Sequence, residues 1–280
     1  MSPLTDIHCH LLAGLDDGPR TMDEAVEMCR MAWNEGTRVI AATAHMGEQW
    51  PDVTADRIRT AAGRLIAELG EIGLPLAVFS VAEITVQPDL DHLWKRGELL
   101  SVADRDTYLM IEMPPGLFID LRDTVGRLRA LRVRPILAHP ERHPELLYEE
   151  GVVEELISMG CLMQVSANSI ADSTCRKQLG ALERWTRRGI VHLIGSDGHS
   201  PKSRPPRIAR AYRCIAQWAG TSTADRICST NGLTVLQGLP LGVPEPEPTE
   251  KTRWFFRFDK LCGLHRAYYR GLQHKPPPTA

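Results

Sequence analysis

Short, wholly apolar runs recur along the chain, and each ends at an acid or an imidazole. Val39 to Ala42 leads to His45, Val78 to Val81 to Glu83, Leu109 to Ile111 to Glu112, and Ile136 to Ala138 to His139. His192 to Gly195 leads into Ser196-Asp197-Gly198-His199. Helical patterns separate the runs. Thr21-Met22-Asp23-Glu24 predicts a capping box, with Thr21 accepting from the first turn and Glu24 reaching back, for a helix that stops at Gly36. Thr54 predicts a second helix through Leu69 to Gly70, with Ala77 to Val81 following as a strand. Leu117, Leu121, Val125, Leu128 and Leu131 fall at helical spacing, as do Val153, Leu156 and Ile157 before a strand at Leu162 to Val165, and Leu179, Leu182 and Trp185 before Gly189. About seven β/α units result. Fully apolar strands between amphipathic helices predict a parallel sheet with helical cover, and the regularity favours a closed barrel. In such a barrel the chemistry sits at the carboxyl ends of the strands, where every polar cluster falls.

The chain's 280 residues, 43% of them hydrophobic, suffice for one large domain with a tail. No run approaches a transmembrane length and no basic n-region precedes an apolar stretch, so a soluble cytoplasmic protein is expected. Seven cysteines without a C-x-x-C pair indicate neither a disulfide framework nor a zinc knuckle. The net charge of -2 hides an asymmetry, because residues 249–280 carry seven Lys/Arg against Glu250 and Asp259, leaving -7 for the rest. An acidic body argues against nucleic-acid binding. Pro244-Glu245-Pro246-Glu247-Pro248 reads as a stiff linker, which divides a barrel over 1–243 from a basic aromatic tail over 244–280. Trp254, Phe258, Leu261, Tyr268 and Leu272 in that tail, flanked by cations, suit a membrane surface, a docking partner, or packing on the barrel.

The chemistry begins at Asp6-Ile7-His8-Cys9-His10. Strand neighbours i and i+2 point the same way, so His8 and His10 can offer imidazoles to one ion, with Asp16 and Asp17 arriving from the next loop. Six such polar endings in one chain indicate a polynuclear metal centre. Cys9 should alternate into packing. A cysteine phosphatase is excluded because no cysteine has an arginine six residues on; Cys9, for example, has Leu15 there.

His8-x-His10, Gly14-x-Asp16-Asp17-Gly18, Thr43-x-His45, Ala82-Glu83-Ile84, Ile111-Glu112, His139-Pro140-Glu141-Arg142 and Ser196-Asp197-x-His199 together resemble the motif set of the polymerase and histidinol phosphatase (PHP) superfamily. Within it, the resemblance is to bacterial metal-dependent protein-tyrosine phosphatases of capsular and exopolysaccharide gene clusters, over residues 4–240. It implies a distorted (β/α)7 TIM-like barrel and three divalent ions: manganese first, with iron or zinc as alternatives. It also implies His8, His10, Glu83 and Asp197 on the first ion, a bridging Glu83 with Glu112 and His139 on the second, and Asp17, His45 and His199 on the third. Asp16 reads as a cap or supporting partner and is the alternative to Asp17 as the direct ligand. Arg142 and Arg204 match the arginines that hold phosphate, Arg204 in a flexible-looking Pro-flanked segment.

Such a site neutralises a phosphate dianion while a bridging water, its proton affinity lowered, serves as nucleophile. Phenolate is a comparatively good leaving group, so no general acid is assigned. The implied substrate is phosphotyrosine on a membrane-associated tyrosine autokinase of polysaccharide export. The competing readings are a small-ester phosphatase of the histidinol-phosphatase kind and a non-enzymatic regulatory module, the latter expected to have lost ligands. Glu141, His92, His143 and His192 read as structural or surface residues, and Ser166 and Asn168 as possible pocket lining.

Overall fold

A computed structural model describes residues 2–242. The linker and basic aromatic tail read at 244–280 lie outside the described residues. Seven strands, β1 (Leu4–His10), β2 (Thr37–Met46), β3 (Ala77–Thr85), β4 (Tyr108–Glu112), β5 (Arg134–Ala138), β6 (Leu162–Ser166) and β7 (Leu193–Gly195), form one sheet in chain order. Every adjacent pair is parallel. The helices among the described residues are α1 (Met22–Asn34), α2 (Ala55–Glu71), α3 (Leu90–Lys95), α4 (Arg122–Ala130), α5 (Pro144–Tyr148), α6 (Glu150–Ser158), α7 (Ala167–Ala171), α8 (Arg176–Arg187), α9 (Ala209–Ala219), α10 (Thr221–Asp225) and α11 (Asn231–Leu236). No helix among these residues is long and apolar enough to cross a membrane.

Two different devices bring β1 and β7 together. At the carboxyl end, Asp197 N donates to His8 O at 2.7 Å and His10 N donates to Gly198 O at 2.8 Å. At the other end, a helical turn does the work: Ser229 Oγ donates to Pro3 O at 2.6 Å and Asn231 Nδ2 donates to His192 O at 2.8 Å. The barrel is nearly closed, and the backbone hydrogen bonds of the closure lie beside the polar clusters.

The strands are buried on both faces. Outward residues such as Ile40, Ala42, Ile84, Leu109, Ile111, Leu137 and Val165 pack on the helices. Inward ones divide into two layers. Ile7, Ala41, Val81, Met110, Ile136, Leu162 and Leu193 fill the lower interior, with Val235 and Leu236 of α11 against them. Two to four residues further along these strands, the inward positions turn polar: His45, Glu83, Glu112, Gln164 and Ser166. A register shift in β1 between Asp6 and Cys9 lets Ile7 join the apolar layer while His8 and His10 join the polar one. Cys9 is fully buried in the outer packing, as alternation requires.

Local differences from the sequence reading have physical causes. Glu24 Oε2 accepts from Arg20 N at 2.7 Å, one residue before the expected partner, although Thr21 Oγ1 accepts from Glu24 N as predicted. Leu117 is in a loop and 54% exposed; Asp120 Oδ1 accepts from Arg122 N, and the turn it stabilises delays α4 to Arg122. Strands β2 and β3 also run past their apolar cores, so His45 and Glu83 lie within them and pair in register.

His192 is structural. Its Nδ1 accepts from Met163 N at 2.9 Å, and burial pushes the imidazole down to about 3. The unfolded chain therefore takes up this proton first as pH falls. His192 stabilises the fold fully above about pH 6.5, and the contribution declines toward pH 3 by about 1.4 kcal/mol per pH unit. His192→Asn, which offers an acceptor that does not titrate, should flatten that part of the stability profile; denaturant melts across this pH range check it.

Candidate metal centre

All nine residues expected as ligands converge on the upper interior. Their donor atoms form four overlapping groups: His10, Asp17, His45 and His199; His8, His10 and Asp197; His8, Glu83 and His139; and His45, Glu83 and Glu112. Glu83 is the hub. Its Oε2 lies 3.2 Å from His8 Nε2, 3.2 Å from His10 Nε2 and 3.1 Å from His45 Nδ1, while its Oε1 lies 2.7 Å from His139 Nε2. Glu112 sits between two imidazoles, with Oε1 3.2 Å from His45 Nδ1 and Oε2 3.8 Å from His139 Nε2. Asp17 Oδ1, at the exposed side, is 3.5 Å from His45 Nε2 and 3.3 Å from His199 Nε2.

These residues fit divalent cations. Donors about 2.1 Å from one ion stand roughly 3.0–3.4 Å from each other in octahedral or tetrahedral geometry, close to the spacings around Glu83. Glu83 Oε2 is buried and makes no hydrogen bond despite its three imidazole neighbours. His8 Nε2 and His10 Nε2 face each other at 3.1 Å. Lone pairs directed at a shared cation account for both arrangements. The mixed imidazole and carboxylate set suits manganese, iron or zinc.

Electrostatics show how strongly the cluster is tied together. Burial alone would raise Glu83, but His8, His10 and His139 outweigh it and hold this carboxyl well below the usual range. Burial opposes protonation of His10, yet Asp16 and Glu83 raise it to about 9. His45 is likewise carried to about 11 by Asp17, Glu112 and Glu83 against burial. Hydrogen bonding to His199 and His45 holds Asp17 low.

The backbone pays locally for aiming these groups. His139, at the end of β5, has φ 34°, and Asp197, after β7, has φ 52°, both left-handed values uncommon outside glycine. Asp16 supports rather than joins the cluster: Oδ2 takes His10 Nδ1 at 2.6 Å and His45 N at 2.9 Å.

Arg142 follows His139 in a short turn. Its Nη2 donates to Ser166 Oγ at 3.2 Å and to Asp197 Oδ2. Arg204 Nη2 reaches the same carboxylate oxygen at 2.5 Å. The segment that reads as flexible is tied back, since Arg204 O accepts from His199 N at 2.8 Å and Ser200 N at 3.2 Å. The two side chains remain 38% and 37% exposed, so two guanidiniums flank the mouth of the cluster. Ser166 is fully buried beneath Arg142, whereas Asn168 shares with Arg142 a surface cavity of about 400 Å³. Glu141 is instead structural, accepting from Ser166 N at 2.9 Å.

A family model for capsular polysaccharide synthesis, CpsB/CapC, matches residues 4–237. The chain belongs to this family. Tyrosine-protein phosphatase YwqE of Bacillus subtilis is 28% identical over 261 residues, covering 90% of this chain and 99% of the relative. Tyrosine-protein phosphatase CpsB of Streptococcus pneumoniae is 26% identical over 237 residues, covering 81% and 96% respectively. A crystal structure from work on YwqE and S. pneumoniae CpsB, described as unique metal-dependent tyrosine phosphatases, matches with a TM-score of 0.82 at 25% identity. It covers 88% of this chain and 100% of that one. The CpsB/CapC membership agrees with the PHP-type barrel expected from the motifs.

Sequence reasoning passed over Gln164 and Trp50. Gln164 interrupts the apolar run from Leu162 to Val165 at an inward position, which was the available signal. Trp50 stacks on His45, with ring planes 7° apart and centroids 5.6 Å apart, but nothing in the local sequence announces that contact.

Proposed function

We propose that this CpsB/CapC-family chain is a metal-dependent tyrosine phosphatase that removes phosphate from a phosphotyrosine protein of capsular or exopolysaccharide synthesis. The observation that carries the proposal is the convergence of Arg142 and Arg204 on one oxygen of Asp197, with two guanidiniums at the edge of a cluster of nine residues whose donor atoms suit metal ions. The activity named for YwqE and CpsB supports the choice of ester. We assign three divalent ions to the site, with manganese favoured over iron and zinc; the overlapping donor groups support a polynuclear centre. The phosphoprotein is proposed to be a membrane-associated tyrosine kinase, met at the cytoplasmic face of the membrane. Contact of residues 244–280 with that surface rests on their basic aromatic sequence.

When bound, divalent ions supply positive charge for phosphoryl oxygens and a water-derived nucleophile at neutral pH. The protein's own groups do the positioning. Glu83 belongs to two of the four donor groups and lies against His8, His10 and His45, which are shared with the others, so removing it disturbs the whole cluster. Asp197 holds both guanidiniums near the cluster, where their forked donors can take equatorial phosphoryl oxygens. The phenolate departs without a dedicated acid.

A substrate panel tests the proposal. A phosphotyrosine peptide should be hydrolysed with a clearly higher kcat/KM than phosphoserine peptides or histidinol phosphate. Preference for the small alkyl ester would replace the reading with a small-molecule phosphatase, and no turnover of any ester would favour a binding module. Cys9→Ser should retain most activity, because burial pushes this thiol well up and no thiolate is available for attack. A trapped phosphocysteine would contradict the hydrolytic route.

A further inference from the structure

We infer that Gln164 is a positioning residue for the metal centre, fixing His8 with its proton on Nδ1 so that Nε2 presents a lone pair to a divalent ion. The inference rests on the reading of the cluster as a metal site. A neutral imidazole has one donor and one acceptor nitrogen, and the partner of the first decides the role of the second. Here His8 Nδ1 meets Gln164 Oε1 at 2.8 Å. The opposite nitrogen, Nε2, faces Glu83 Oε2 at 3.2 Å and Asp197 Oδ1 at 3.7 Å. With the amide oxygen as acceptor, Nδ1 carries the proton and Nε2 is left free to ligate.

The surroundings are built for this contact. Gln164 and His8 are both fully buried, so solvent cannot replace the acceptor. Gly195 on β7 runs beside the pair, and a Cβ there would stand 2.4 Å from His8 Cβ and 3.0 Å from Gln164 Nε2. Only a residue without a side chain lets His8 and Gln164 meet across that position. His10, two residues on, has the corresponding support from Asp16 Oδ2 at 2.6 Å. The two ligands of one strand thus have different backing: a carboxylate behind His10 and a neutral amide behind His8. The amide fixes orientation without adding a negative charge to an interior that already holds Glu83, Glu112 and Asp197.

The test compares Gln164→Met, which keeps the side-chain length but removes the acceptor, with Gln164→Glu, which restores an acceptor oxygen. The metal-stripped full chain is titrated with Mn(II), and the free ion is read by electron paramagnetic resonance. Thermal melts of the stripped proteins run alongside. Gln164→Met should weaken manganese binding about 10–100-fold, as expected for a partner of a ligating imidazole, while the stripped variant melts near wild type. Gln164→Glu should recover most of the affinity. Wild-type affinity in Gln164→Met would overturn the inference. So would equal loss in both variants with lowered melting of the stripped chains, which would make Gln164 a packing residue. Because manganese binding is read without turnover, a chain that binds it in this pattern yet cleaves no phosphotyrosine would sustain the inference and remove only the proposed substrate. A wild-type chain that takes up no manganese would overturn it at its foundation.

Discussion

Glu83→Gln should lower kcat/KM toward a phosphotyrosine peptide by on the order of a thousandfold or more and reduce the bound metal at the same time. The change is nearly isosteric. It nevertheless removes a charge from a position where Oε2 stands within 3.2 Å of three imidazole nitrogens and Oε1 is 2.7 Å from a fourth. Glu83 is fully buried, so water cannot substitute for the missing charge. An amide also presents hydrogens where the site needs lone pairs. Because Glu83 belongs to two of the four donor groups and touches members of the others, its loss should cost more than that of Asp17, which is half-exposed at the rim. Kinetics with metal analysis on the same preparation check the expectation. Full metal content with full activity would show that Glu83 is not the hub.

The second large effect concerns phosphate capture. Arg142→Lys conserves charge but should cost about 2–4 kcal/mol of transition-state stabilisation, roughly 30- to 1000-fold in kcat/KM, with metal retained. A lysine has one point of charge. The arginine divides its donors, with Nη2 engaged by Ser166 and Asp197 and the rest of the fork available to a phosphoryl group. Arg204→Ala should also lower activity, although Asp197 would still be held by Arg142. Near-normal kcat/KM in both variants would make the arginines supports for Asp197 alone.

Much of this was legible because strand alternation and strand-end chemistry are local properties. The period of β2 through His45 and of β3 through Glu83 places a polar group inward above an apolar layer, and the sequence shows both features in a few residues. Less legible were contacts between distant segments. Gln164 meets His8 across 156 positions of sequence, and Trp50 lies over His45 only because the loop after β2 folds back. The closure of the barrel at its lower end by Ser229 and Asn231 has no sequence signature either, since both act through hydrogen bonds to backbone oxygens elsewhere. The start of α4 was misplaced because the apolar spacing continues upstream through Leu117 while Asp120 turns the backbone. The expected division of the ligands into three sets was drawn from resemblance; in the structure the donor groups overlap, with His10 beside both His8 and Asp197 and the Asp17, His45 and His199 group, and Glu112 between His45 and His139.

The most direct test is hydrolysis of a phosphotyrosine peptide by one preparation before chelation, after complete metal removal, and after return of divalent ion. Activity that disappears on stripping and returns with manganese, iron or zinc, with more than one ion bound per chain, is the predicted result. A metal-free chain that cleaves the peptide at the original rate would contradict the account.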